Sequence, residues 1–101
     1  MDLRHLRYFV VVAEEGNITR AAERLHIAQP PLSRQIQQLE EELGVPLLVR
    51  GSRPLTLTEA GQFFYAHARQ LLSQTRELEA MTRRIGTIER KLSIGFVGST
   101  L

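Results

Sequence analysis

A mainly α-helical fold is predicted for this 101-residue chain by three observations. Apolar residues recur at helical spacing over most of its length. Glycines stand where the early runs should stop, and strand character is confined to residues 46–57 and a short stretch near the C-terminus. Hydrophobic residues make up 43% and charged residues 24%, the balance of a globular chain and not of a disordered one. The absence of cysteine excludes a disulfide scaffold and a cysteine-ligated zinc, and it fits a reducing, cytoplasmic setting. The N-terminal MDLRHLRYF carries charge where a signal peptide needs an apolar core. The longest wholly apolar run, Val10–Ala13 behind Tyr8 and Phe9, is far short of a membrane span, so no membrane partner is expected.

The first helix opens at Asp2, whose carboxylate can accept from the free N–H groups of the first turn. Leu3, Leu6, Val10 and Ala13 follow at helical spacing, with Phe9 beside them, and Gly16 ends the run. Asn17 can cap a second, short helix in which Ile18, Ala21, Ala22 and Leu25 form a clean apolar stripe. The two alanines allow another helix to cross closely. His26-Ile27-Ala28 is a three-residue connector.

Leu32, Ile36, Leu39 and Leu43 then define a third helix, stopped by Gly44. Pro30 and Pro31 mark its start, because first-turn N–H groups have no intrahelical partner to lose. Gln29 and Pro30 are expected to form a stiff lead-in, since a residue before proline resists the helical region. Ala28 offers no capping side chain. Residues 46–50 and 54–57 read as two short strands, with Gly51-Ser52-Arg53 as the turn between them.

A long helix follows, capped by Thr58 or by Thr56, the latter with Glu59 at capping-box spacing. It is expected to run to about Gly86, roughly 28 residues or about 42 Å. Phe64, Leu71, Leu78 and Ile85 recur every seventh residue, with His67, Gln74, Met81 and Ile88 at the companion positions. So long a helix cannot bury its far end on so small a domain. Phe64, Leu71, Leu78, Met81 and Ile85 are therefore the candidate dimerisation residues, Phe64 packing inward and the later turns meeting a second copy. Beyond it, Leu92, Ile94 and Phe96 alternate with Ser93, Gly95 and Val97 and read as one strand without a partner. The expected organisation is a compact unit over 1–57, a linker helix over 58–88 and the start of a further domain over 89–101.

Two helices joined by a three-residue turn, followed by a strand hairpin, make a winged helix-turn-helix. In that motif the N-terminal part of the second helix reaches base edges in the major groove. Ser33, Arg34, Gln37 and Gln38 lie off the apolar stripe in the first half of the third helix, and Glu40, Glu41 and Glu42 crowd the second half. Phosphate repels carboxylates, so only the N-terminal half is expected to approach DNA. Arg34 can bond guanine O6 and N7 in a bidentate way, and Gln29 or Gln37 can address adenine. Pro30 and Pro31 offer apolar surface to a thymine methyl, and Ser33 a hydroxyl to a base or phosphate. Arg50 and Arg53 flank the hairpin tip, a place suited to phosphate or the minor groove. Bulk charge adds little: the net is +2, and residues 1–57 hold seven arginines against seven acids.

The layout LRYF…AAERLHIAQPPLSRQIQQLEEELGVPLLVR…LTLTEAG resembles the N-terminal part of LysR-type transcriptional regulators over nearly the whole chain. HIAQPPLSRQI, RGSRPL and GQFFY are most similar to the branch that controls bacterial catechol and benzoate degradation operons. The resemblance implies a winged helix-turn-helix, a linker helix pairing two subunits, tetramers in the full protein, and a C-terminal effector domain taking muconate-like molecules. It puts Gln29, Pro30, Pro31, Ser33 and Arg34 in the recognition region and Arg53 in the wing. GFVGS resembles the first strand of the effector domain, with Ser99 at the pocket edge. Many members carry serine where this chain has Ala28.

Other chemistries find less support. His5, His26 and His67 share no metal-ligand spacing. Residues 95–100 lack the lysine and following helix of a phosphate loop. No nucleophile, base and orienting acid can be assembled, so an enzyme is not expected, and no cofactor is. The leading expectation is a sequence-specific transcription regulator, activator or repressor, a homodimer reading an interrupted inverted repeat in double-stranded DNA. The rival is a protein-interaction module that uses the winged fold and long helix only to join partners.

Overall fold

The computed structural model describes the backbone of residues 1–100 and the side chains of residues 1–92. Helix α1 (Leu3–Glu15) begins with a reciprocal cap. The Asp2 carboxylate accepts from the His5 N–H at 3.1 Å, and His5 Nδ1 accepts from the Asp2 N–H at 3.4 Å. Two free N–H groups are satisfied at once. The bond from the His5 N–H is the main reason the Asp2 carboxyl lies below its ordinary value. Gly16 closes the helix at φ 64°.

Helix α2 (Ile18–Leu25) starts on Asn17, whose Oδ1 accepts from the Arg20 N–H at 3.0 Å. It ends on His26, a non-glycine residue in the left-handed region at φ 58°. Helix α3 (Gln29–Leu43) has no side-chain cap at Ala28. Its first residue is already Gln29, so the expected lead-in of Gln29 and Pro30 is instead the first helical turn. Proline there loses no bond, and its fixed φ is already helical.

The expected strands shorten to β1 (Leu48–Val49) and β2 (Thr56–Leu57), paired antiparallel with Leu48 opposite Leu57 and Val49 opposite Thr56. Pro46 and Pro54 cannot donate to a ladder, which limits the pairing to this short stretch. Thr58, and not Thr56, caps α4 (Glu59–Thr100). Its Oγ1 accepts from the Gly61 N–H at 3.0 Å and donates to the Pro46 carbonyl at 2.8 Å. The Thr58 N–H donates to the Leu47 carbonyl at 3.0 Å, so one residue fastens the long helix to the wing. Gly61 is needed for that approach, since a Cβ there would overlap the Leu47 carbonyl oxygen.

The core lies where α1, α2 and α3 meet β1. Phe9, Leu32, Ile36, Leu39, Leu47 and Leu48 are its largest buried side chains, each worth about 1.5–3 kcal/mol of burial. Ala21 and Ala22 are buried between the helices, as their small size allows. A second cluster of Leu6, Val10 and Ala68 docks the start of α4 on α1. Phe64 joins the two, its ring edge-on to Phe9 with centroids 5.2 Å apart.

Helix α4 passes through Gly86 instead of stopping there. Glycine ends a helix where the chain turns left-handed, and Gly86 is not among the positive-φ glycines. Within a helix it costs only about 1 kcal/mol, which its helix-forming neighbours absorb. The backbone over Leu92–Val97, expected as a strand, is likewise helical. A lone strand leaves its N–H and C=O groups unpaired, whereas a helix bonds its own. Ser99 and its expected place at an effector pocket fall outside the described side chains.

Candidate nucleic-acid interface

The N-terminal half of α3 presents the groups expected from its sequence. Pro30, Pro31, Arg34, Gln37 and Gln38 are exposed, while Leu32, Ile36 and Leu39 hold the opposite face in the core. Gln29 Nε2 donates to Ser33 Oγ at 2.9 Å, one turn further on. That bond fills an acceptor site of the Ser33 hydroxyl and leaves its hydrogen free to donate outward. Arg34 has no ion-pair partner among the described residues, so its five N–H donors face solvent.

The wing is set against this helix by side-chain bonds. Ser52 Oγ donates to the Val49 carbonyl at 3.1 Å and accepts from the Thr56 N–H at 3.3 Å, which shapes the turn. The Leu55 N–H donates to the Gly16 carbonyl at 2.9 Å, tying the returning strand to the α1–α2 corner. Arg53 stands exposed at the tip. Arg50, expected beside it as a second DNA contact, is engaged internally: its Nη2 donates to Glu40 Oε1. Glu40 Oε2 accepts from the Leu47 and Leu48 N–H groups at 2.7 and 3.2 Å. Glu40 is thus a brace between α3 and the wing, where the sequence suggested a free carboxylate repelled by phosphate.

The same pairing explains how a unit of zero net charge can face an anion. Arg24 bonds Glu14 at 2.8 Å and Glu15 at 3.3 Å, and the Glu14 bond is the main cause of its raised pKa. Arg4 lies near Asp2, Arg50 is held by Glu40, and Glu42 takes the N-terminal ammonium. Among the described residues, Arg7, Arg20, Arg34 and Arg53 of residues 1–57 make no ion pair. Arg20 and Arg53 line one groove with Asn17, Thr19 and Ser52, between the wing and the start of α2. The helix N-terminus adds partial positive charge there. Sequence reading missed Arg20 and Thr19. Their only signal was a place in the first turn behind the Asn17 cap.

On α4, Leu71, Leu78, Met81 and Ile85 are 47–68% exposed in the single chain, and Ile88 and Leu92 continue the stripe. Phe64 is spent on the core instead. The exposed Phe63 ring lies 4.3 Å from that of His67 at the near end of the same helix. No described helix is long and apolar enough to cross a membrane.

The family described as "Bacterial regulatory helix-turn-helix protein, lysR family" matches residues 3–62. The chain is 63% identical to the probable cat1 operon transcriptional activator of Acinetobacter lwoffii, over all of this chain and 34% of that protein. It is 62% identical to the HTH-type transcriptional regulator CatR of Pseudomonas putida, again over all of this chain and 35% of the relative. The chain thus spans about a third of the length of the curated relatives it matches. Among solved structures, the BenM DNA-binding domain in complex with catB site 1 DNA superposes with a TM-score of 0.86 at 60% identity, covering 88% of this chain and 96% of that one.

Proposed function

This chain belongs to the LysR family of bacterial regulatory helix-turn-helix proteins, and from that premise we propose that it is the DNA-reading module of a sequence-specific transcription regulator. The observation that carries the reading is the start of α3, where Arg34 is exposed and unpaired among the described residues beside Ser33, Gln37 and the two prolines. Gln29, Ser33, Arg34 and Gln37 read bases, Pro30 and Pro31 meet thymine methyls, and Arg53 with Arg20 holds phosphates. Relatives named as operon activators, and a neighbour solved on DNA, support this against the interaction-module rival. The regulated genes are those of catechol or benzoate degradation, by likeness to the cat1 and CatR regulators.

Residues 1–57 form the reading unit and 58–88 the linker helix, with 89–101 leading to an effector domain for a muconate-like molecule. Two copies join along Leu71, Leu78, Met81 and Ile85, and pairs of dimers form the full-length tetramer in the bacterial cytoplasm. Two-fold symmetry places the half-sites of an interrupted inverted repeat about 34 Å, one DNA turn, apart. Selecting bound sites from random duplexes tests this: an inverted repeat is expected, and an unenriched pool would refute sequence-specific binding. On the selected site Arg34→Ala should cost about 1–3 kcal/mol and relax one base position. Arg53→Ala should weaken all sequences alike and lower the salt slope by about 0.9. An equal loss on every sequence for Arg34→Ala would make Arg34 a phosphate contact.

A further inference from the structure

We propose that Glu40 acts as a built-in stand-in for a DNA phosphate, occupying Arg50 so that the wing meets the duplex through Arg53 and sequence-independent affinity stays low. The inference rests on the DNA-binding reading above. Glu40 lies two helical turns beyond Ser33 on the same side of α3, about 10.5 Å along the axis. It lines a shallow groove with Gln37. Glu40, with Arg50 bonded to it, thus stands about one helical turn beyond Gln37.

The pair is asymmetric. The Glu40 side chain is only 12% exposed and its Oε2 is fixed by two backbone N–H groups, whereas the Arg50 side chain is 58% exposed. An exposed ion pair is weak because both partners are free to swing into water. Here the carboxylate cannot swing, and leaving it without the guanidinium would strand a largely buried charge. A phosphate must compete with an acceptor already in place. Arg50 consequently contributes little to backbone binding, although its type and position would suit it.

Glu40→Gln separates the two duties of the side chain. The amide oxygen can still accept from the Leu47 and Leu48 N–H groups, but the amide NH2 cannot accept from Arg50. The brace survives and the mask is lost. One freed arginine adds one phosphate contact, steepening the salt slope by about 0.9 and tightening binding about fivefold near 0.15 M salt. Random-sequence duplex is the probe, since a phosphate contact carries no base information.

Binding of the parent chain, Glu40→Gln, Arg50→Ala and the double variant should be followed over a salt series, with thermal melting to check folding. Arg50→Ala should leave the slope within about 0.3 of the parent, Glu40→Gln should steepen it by about 0.9, and the double variant should return to the parent value. A slope lowered by about 0.9 in Arg50→Ala would show Arg50 already on phosphate and overturn the proposal. So would a gain from Glu40→Gln that persists without Arg50, since that is only the loss of a negative charge. Should Glu40→Gln fail to fold, Arg50→Ala alone decides. A parent chain that binds no duplex would defeat the DNA-binding reading itself, a different result from any of these.

Discussion

Replacing Gly61 by alanine should destabilise the protein, although the same change in an open helix stabilises. A Cβ at Gly61 would overlap the Leu47 carbonyl oxygen and stand 2.9 Å from its carbon and 3.2 Å from Cα, all backbone atoms of the segment leading into β1. No side chain can rotate away, so α4 must lift from the wing. Overpacking of this kind costs about 1–3 kcal/mol. The lift also stretches the 3.0 Å bond from the Thr58 N–H to the Leu47 carbonyl, worth about 1 kcal/mol. Alanine regains about 1 kcal/mol of helix propensity. The net is a loss of about 1–3 kcal/mol, or a melting temperature lower by about 5 °C or more. Gly86 supplies the control, because nothing lies within 4 Å of a Cβ built there. Gly86→Ala should raise the melting temperature by a few degrees, about 1 kcal/mol at most. Both variants are followed by helical circular dichroism at one protein concentration. If Gly61→Ala melted at or above the parent, the close approach of α4 to the wing would be refuted.

The exposed stripe on α4 predicts that Leu71→Asp with Leu78→Asp separates the subunits, a change read by sedimentation; a double variant still dimeric would move the interface elsewhere. The Asp2 cap predicts a pH signature. Its carboxyl is depressed in the folded chain, so its contribution is present above the ordinary value of 3.8 and fades as pH falls through the lower, folded value. The melting gap between the parent and Asp2→Ala should therefore narrow between about pH 5 and pH 2. A constant gap would mean that the carboxylate is not what holds α1.

The helices were legible because their causes are local. Asp2, Asn17 and the two prolines act on N–H groups within one turn, and the apolar rows of α1 to α3 repeat with the helix itself. Arg34 and Ser33 were legible for the same reason: an N-terminal place off the apolar stripe needs no knowledge of the rest of the chain. Where the sequence misled, a local rule met two equal options. Gly86 resembled a helix stop, yet stays helical; Thr56 had the spacing of a cap, yet β2 claimed it.

What sequence alone determined is the order and type of most elements, the glycine stops at Gly16 and Gly44, and the exposed polar edge at the start of α3, all set by hydrogen bonds and periodicities spanning a few residues. The tertiary structure decided which charges remain free. Arg50 meets Glu40 ten residues away, and Arg20 joins Arg53 from another element. It also decided that Gly61 must have no side chain, and it gave the inward-packing Phe64 its partner in Phe9, 55 positions earlier. Such pairings depend on how separate elements dock, and the chain between them carries no periodic trace of the distance it closes.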